Sequence, residues 1–329
     1  MTLAKNDWWS NISSAASVLM LASVLCLGAP PKPGGQTAGH EEHPFTITAN
    51  VDLVLLDVSV RYPNGGYVKG LQKSDFRVYE DGHPREITQF GAMDAPVSVG
   101  LVVDNSGSMR LKRRDVVMAG LAFAKQSNPQ DEFFVVNFND AVSFGLPGEV
   151  PFTDNLLLLQ RALYYGEPWG ETALYDAIGA ALAHLERSHR EARTLIVVSD
   201  GGDNASKISL RELMDMIEAS RAVIYTIGLF DPADADQNPK VLRKIAKMSG
   251  GEYFQPKTED EILPAFQKIS TDIRSRYTIG YHPDEIQDKR TLRTVKVTAE
   301  KGGRKLVVKS RTTYTVVPFS ELLADRGQR

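Results

Sequence analysis

The sequence lacks several features that many proteins of its size use for cross-linking or chemistry. It has 329 residues and a single cysteine, Cys26, so an intramolecular disulfide is excluded. The formal net charge is -3, which gives no global basic field to attract nucleic acid. Hydrophobic residues make up 42% and charged residues 24% of the chain, so its stability has to come from an ordinary globular core.

Complete catalytic motifs are also missing. The sequence contains no G-x-S-x-G nucleophile elbow and no G-x-x-x-x-G-K-[ST] phosphate loop. Only six histidines are present. His184 and His189 lie in a stretch predicted to be helical, and His282 lies beyond the region of strand–helix alternation. No nucleophile, base and orienting acid can be assembled from these residues, and we predict that the protein is not an enzyme.

Long hydrophobic runs are absent except near the N-terminus. Lys5 precedes the apolar segment AASVLMLASVLCLGA, which ends at Ala29 and is followed by PPKPGG. This pattern predicts a secretory signal over residues 1–29, because the segment is short for a transmembrane helix; an uncleaved anchor is the alternative. Lipid attachment at Cys26 is disfavoured because bulky Leu25 precedes it. We therefore expect an exported protein, in the periplasm, cell envelope or extracellular space, with a linker over residues 30–44.

Strand-like and helical runs alternate between residues 96 and 276. The runs VSVGLVV, FFVVNF, TLIVVS and AVIYTIGLF are continuously apolar, which is typical of parallel strands covered on both faces. Helical patterns lie between them, and the last is predicted over residues 260–276. This alternation predicts an α/β fold with a doubly wound, mostly parallel, Rossmann-like sheet.

Segments with a β pattern flank this region on both sides. The stretch NVDLVLLDVSVRY within residues 45–92 alternates apolar and polar residues, and Asp81-Gly82 predicts a hairpin turn. Residues 277–318 contain further strand patterns, and residues 319–329 are predicted to be a flexible tail. Each flank is small for a core of its own, and domain termini often lie close together. We therefore predict that the flanks form one β-sandwich-like unit into which the α/β domain is inserted.

Oxygen-bearing side chains follow two of the predicted parallel strands. In VVDNSGSM, Asp104, Ser106 and Ser108 come at a spacing of two after an apolar run, and Asp200 follows TLIVVS. Thr172 lies in the glycine-containing loop of WGETALYDAI. The carboxyl ends of parallel strands meet at one edge of a sheet, so these five side chains are expected to converge. Carboxylate and hydroxyl oxygens suit hard cations, which predicts a site for Mg²⁺ or Mn²⁺.

A plainer interpretation of the first motif is local turn chemistry. Asp and Ser often bond to nearby backbone in turns, so Asp104, Ser106 and Ser108 alone would predict a metal only weakly. The matching residues in two further loops favour the metal. Asp140 and Asp203, near other loop edges, are predicted to be turn residues, with an indirect role at the site considered for Asp203.

Together, DNSGSM, the threonine of GETALYDAI and VVSDGGDN resemble the metal-ion-dependent adhesion site of the von Willebrand factor type A domain. All five positions of that pattern match, over a domain of about residues 96–276. The flanking stretches VKGLQKSDFRVYEDGHPREITQF and YTIGYHP resemble exported bacterial proteins related to the same family, seen mostly in acidobacteria.

The resemblance implies a role for each residue. Ser106 and Ser108 would bind the metal directly, Asp104 and Asp200 directly or through water, and Thr172 would exchange between the two modes. An acidic side chain of a protein partner would complete the coordination. Two alternatives stay open: an envelope scaffold that does not use the metal and, less favoured, a metal-assisted hydrolase, for which no general base stands out.

Overall fold

The computed structural model describes residues 53–91, 94–230, 236–283 and 291–316. All of them belong to one compact unit, Asn50–Arg329. The predicted signal or anchor, the linker and the tail lie outside the described residues. Within the described ranges, no helix has the length and apolar character needed to cross a membrane.

The chain forms strands and helices that we number in order. The strands are β1 (Val54–Arg61), β2 (Phe76–Glu80), β3 (His83–Arg85), β4 (Ile87–Gly91), β5 (Val97–Asp104), β6 (Glu132–Phe138), β7 (Val142–Phe144), β8 (Ala192–Ser199), β9 (Val223–Gly228), β10 (Tyr253–Phe254), β11 (Arg276–Tyr281), β12 (Thr291–Lys301), β13 (Arg304–Lys305), β14 (Val307–Lys309) and β15 (Thr313–Val316). The helices are α1 (Arg113–Gln126), α2 (Leu156–Leu163), α3 (Leu174–Leu185), α4 (Leu210–Ala219), α5 (Pro239–Ser249) and α6 (Ile262–Ile273).

The central sheet has the strand order β10-β9-β8-β5-β6-β7. All its pairs are parallel except that of β6 with the edge strand β7. Every residue of β5 and β9 is buried, as expected for strands covered on both faces. Helix α1 contacts α2 and α6, and helix α4 contacts α3 and α5. The predicted doubly wound, mostly parallel α/β fold is confirmed.

Two helices differ from the prediction. The last helix, α6, is shorter than predicted, because the chain turns after it and Arg276 already pairs in β11. Helix α2 was not predicted, because the apolar run LLLL hides the helical period. Its N-terminus carries a recognisable signal, since the Asn155 side chain accepts hydrogen bonds from the N–H groups of Leu157 and Leu158.

The two β flanks share their sheets. In the order β14-β1-β11-β4, β1 pairs antiparallel with β11 and places Val54 opposite Tyr281. The second sheet, β13-β12-β2-β3 with β15 beside β12, also combines both flanks. One hydrophobic core contains side chains of both sheets, among them Leu56 and Val297. The sandwich-like pairing predicted for the flanks is confirmed, and the domain boundaries stay a prediction.

A buried carboxylate joins the β unit to the α/β part. Asp272 of α6 is fully buried. It accepts hydrogen bonds from Ser59 of β1 at 2.7 Å, Tyr225 of β9 at 2.5 Å and Arg276 of β11 at 2.7 Å. Burial alone would raise the pKa of Asp272, but the Arg276 guanidinium and these hydrogen bonds hold it well below its usual range.

We expect Asp272→Asn to destabilise the protein by about 3–5 kcal/mol, because the change leaves the buried guanidinium of Arg276 without its counter-charge. Urea unfolding at neutral pH measures the loss. The matched control is Glu186→Gln, which removes an acid paired with Arg193 but 65% exposed; it should change the free energy of unfolding by less than about 0.5 kcal/mol. Equal effects of the two substitutions would contradict a special role for the Asp272 junction.

Candidate metal centre

The central sheet places two carboxylates at neighbouring strand ends. Asp104 is the last residue of β5, and Asp200 follows directly after β8. These strands pair in parallel, with Val103 opposite Val198, so both acids emerge at the same carboxyl edge. The convergence of these strand ends follows from parallel pairing and explains how residues so far apart in the chain meet.

The carboxylate of Asp104 is held on both oxygens. Its Oδ1 accepts a hydrogen bond from the N–H of Ser106 at 2.8 Å, and its Oδ2 accepts one from the Ser199 hydroxyl at 2.7 Å. Sequence reasoning missed Ser199. The available signal was its position as the last residue of a buried strand, beside Asp200.

The serine hydroxyls connect Asp104's turn to the second acid. The Ser108 hydroxyl donates to Asp200 Oδ2 at 2.8 Å, and it lies 3.2 Å from the Ser106 hydroxyl. The other oxygen of Asp200 accepts from the N–H of Gly202 at 3.0 Å. Four of the five predicted ligands therefore form one hydrogen-bonded cluster.

The backbone of Thr172 is bound to the loop that follows Asp200. It lies in the loop between α2 and α3, and its N–H donates to Asn204 Oδ1 at 2.8 Å. In the same loop, the carbonyl of Gly170 accepts from the N–H of Gly107 at 3.4 Å. The loop is thus tied to both strand-end loops, although within the described residues no hydrogen bond joins the Thr172 hydroxyl to the other four ligands.

Three residues outside the predicted set position the Thr172 loop and the start of α3. Asn204, which sequence reasoning missed, binds the Thr172 backbone. Asp140 Oδ1 accepts from the N–H of Glu171 at 3.1 Å. It also sits where a side chain at Gly170 would lie, since a Cβ added there would come within 1.9 Å of it. Asp203 accepts from the N–H of Tyr175 at 3.1 Å. Asp140 and Asp203 are therefore more than isolated turn residues.

The charges at this edge are poorly compensated. Asp104 and Asp200 are buried, at 1% and 4% exposure. Burial raises the pKa of Asp104 to about 6, and the negative charge of Asp200 adds to this, although hydrogen bonds from Ser106 and Ser199 oppose it. The ion pairs formed within the described chain involve neither acid.

These residues fit a hard divalent cation. A cation would supply the positive charge that balances the two carboxylates. Each carboxylate oxygen that accepts one hydrogen bond keeps a further lone pair that could bind the ion. The Ser108 proton is donated to Asp200, so Ser108 accepts in its contact with the Ser106 hydroxyl, and one lone pair of its oxygen remains for a metal. Among the described residues, no group of three or more His, Cys, Asp and Glu side chains is arranged to hold a metal ion. A metal here would depend on two carboxylates and on hydroxyl oxygens.

The fold and this sheet edge define an α/β domain with an oxygen-rich site at its strand ends. Residues 99–202 match the family model of the von Willebrand factor type A domain, a range that includes all five predicted ligands. The matched residues thus belong to a domain of the von Willebrand factor type A family.

Solved structures of other proteins are similar to parts of this chain. A von Willebrand factor type A protein from Catenulispora acidiphila superposes with a TM-score of 0.50 at 14% identity, covering 75% of each chain. An aerotolerance-related membrane protein from Bacteroides fragilis gives 0.43 at 16%, covering 54% of this chain and 98% of its own. The vWF domain of the type V pili tip protein Mfa5 from Porphyromonas gingivalis gives 0.46 at 14%, covering 60% and 100%. The search of curated proteins finds no match. At 14% identity, the likeness to the Catenulispora acidiphila protein is one of fold alone.

Removing the buried charge should stabilise the metal-free protein. We expect Asp104→Asn to raise the free energy of unfolding in EDTA at pH 7 by about 1–3 kcal/mol. Because the folded-state pKa lies above the ordinary value, the carboxylate's destabilising effect is complete above about pH 6 and fades as the pH falls toward 4. The gain should shrink accordingly in urea titrations at pH 7, 5.5 and 4. Exposed Asp215→Asn is the control and should stay within about 0.5 kcal/mol; a pH-independent gain for Asp104→Asn would contradict the assignment.

Proposed function

We propose that this protein is an exported, metal-dependent protein-binding module that captures a carboxylate of its partner through a Mg²⁺ or Mn²⁺ ion. The observation that carries the proposal is the pair of buried carboxylates, Asp104 and Asp200, bridged by the hydroxyl of Ser108 at one sheet edge. Von Willebrand factor type A domains typically mediate protein–protein interaction or adhesion, and they commonly bind a divalent metal.

In this proposal each residue has a distinct task. Ser106 and Ser108 offer hydroxyl oxygens to the ion, and Asp104 and Asp200 balance its charge from beneath. Thr172 offers a third hydroxyl from a separately anchored loop. The ion supplies a positively charged coordination position that an acidic side chain can occupy in place of water.

Solvent access at this edge supports the proposal. Ser108 is partly exposed, whereas Asp104, Ser106, Thr172 and Asp200 are buried. An ion placed here would be held by the protein on its inner side and reached by a partner on its outer side. Export is the second part of the proposal and rests on the apolar segment ending at Ala29.

The metal should stabilise the native state. Because an ion that binds only the folded protein shifts the equilibrium by mass action, saturating Mg²⁺ or Mn²⁺ should raise the melting temperature. An ion at a hundred times its Kd contributes about 2.7 kcal/mol. Asp104→Asn should abolish the shift, and Asp215→Asn should keep it. Identical melts of the wild type with cation and with EDTA, checked by calorimetry, would refute the metal site.

The hydroxyl of Thr172 should matter more for partner capture than for metal affinity, because one ligand of about six adds little to affinity. A side chain whose coordination changes on capture biases the whole equilibrium. Thr172→Val should weaken Mg²⁺-dependent retention on an immobilised aspartate peptide, whereas Thr172→Ser, which keeps the hydroxyl, should retain it. Both should keep the Mg²⁺ melting shift. Equal retention by the two variants would contradict this role, and retention that EDTA leaves unchanged would favour a scaffold that does not use the metal.

A further inference from the structure

Large apolar side chains are exposed beside the candidate metal centre. Leu111, Tyr164, Tyr165 and Trp169 are 85%, 46%, 54% and 59% exposed. We call these four residues the aromatic rim. Leu111 lies three residues after Ser108, and Trp169 lies three residues before Thr172, so the rim belongs to two of the loops that carry the predicted ligands.

Elsewhere in the described chain, exposed large apolar residues are spread over different elements. They are Tyr62 after β1, Met118 on α1, Phe144 on β7, Leu156 and Leu157 on α2, Met216 on α4, Leu263 on α6, Leu292 on β12 and Val307 on β14. Single exposed apolar residues are normal on a protein surface, but a contiguous group marks an interaction site. The four rim residues, in contrast, lie in two loops beside the candidate metal centre that are joined by the hydrogen bond from Arg110 to the carbonyl of Pro168.

Hydrogen bonds brace the loop that carries the rim aromatics. The carbonyl of Tyr165 accepts from Asn105 Nδ2 and from Arg113 Nη2, each at 3.2 Å. The carbonyl of Pro168 accepts from Arg110 Nη2 at 3.4 Å. The aromatic side chains therefore extend from an anchored backbone. Less conformational entropy of this loop is then lost when a partner binds.

The charge beside the rim favours an acidic partner. The sequence RLKRR places four cationic residues at positions 110–114, directly after Ser108. Arg110 and Arg114 are exposed. Glu167 and Glu171 are also exposed in the aromatic loop. Residues 110–114, which include the first two residues of α1, and residues 164–173 together hold four cationic and two acidic side chains.

We infer that the partner is a protein segment in which the metal-binding carboxylate is directly flanked by aromatic or aliphatic residues that pack on the aromatic rim. This inference rests on the proposed metal-dependent capture. Tyr and Trp are the residues that most often dominate binding energy at protein interfaces, and here they border the position that a carboxylate would occupy. A lipid surface would use the aromatic and basic side chains but not the buried carboxylates and hydroxyls beneath them, so a protein segment accounts for more of the site.

A peptide array tests the inference with the full-length protein. Capped heptapeptides carry a central Asp, and each flanking position is varied in turn; a companion array carries Asn instead. We expect Mg²⁺-dependent retention on the Asp array only, strongest where Phe, Tyr, Trp, Leu or Met adjoins the Asp. The double variant Leu111→Gln/Trp169→Gln should lower retention on those peptides about tenfold, to the level of glycine-flanked peptides, and keep the Mg²⁺ melting shift.

The control Met118→Gln/Leu157→Gln removes apolar side chains of similar exposure, 56% and 69%, away from the rim, and should behave as wild type. Two outcomes would overturn the role of the rim while leaving the metal-dependent capture intact. One is retention on the Asp array with no preference for apolar flanking residues, and the other is an equal loss of retention in the control. No melting shift together with equal retention on the Asp and Asn arrays would overturn both. Rim-dependent sedimentation with phosphatidylglycerol vesicles in EDTA would assign the rim to a membrane and overturn the inference.

Discussion

One buried carboxylate, Asp272, holds together the parts of this protein that come from distant sections of the chain. It joins α6 to β1, β9 and β11 through Ser59, Tyr225 and Arg276. The β unit contributes a hydroxyl and a guanidinium, and the α/β part contributes a phenol and the acid. Because removing any partner leaves buried polar groups unsatisfied, the relative position of the two parts is fixed by chemistry as well as by apolar packing.

The protein treats its buried acids in two opposite ways. Asp272 is surrounded by donors and a paired guanidinium, which lower its pKa, whereas Asp104 is buried beside another acid, which raises its pKa. The first arrangement is complete within the polypeptide. In the second, no ion pair among the described residues balances Asp104 or Asp200, and in the proposed function a metal ion would do so. Because both acids are buried, the opposite directions of their pKa shifts distinguish a structural acid from a candidate ligand more clearly than burial does.

Much of the α/β fold was predictable, because continuously apolar β-branched runs and the rule for strand ends are local or nearly local signals. The pairing of Asp104 with Asp200 followed from that rule. Helix α2 was hidden by its leucine run, and the end of α6 was misplaced because Arg276 pairs with a strand that lies far away in the sequence. Ser199, at the end of β8, was overlooked although its strand-end position was a signal. Asn204 was missed because the direction of a loop side chain depends on tertiary contacts that no local pattern encodes.

The shared sheet of the β flanks also governs the order in which the chain can fold. Asp57 and Thr278, opposite each other in β1 and β11, are 221 positions apart. Closing so long a loop in a disordered chain carries a large entropic cost, and contacts of this range slow folding. Once the α/β domain between β1 and β11 has folded, the two strands are separated only by the distance between the ends of that domain. During synthesis, therefore, β1 has to wait unpaired, with its hydrogen-bonding edges open, until the strand made last in this pair emerges.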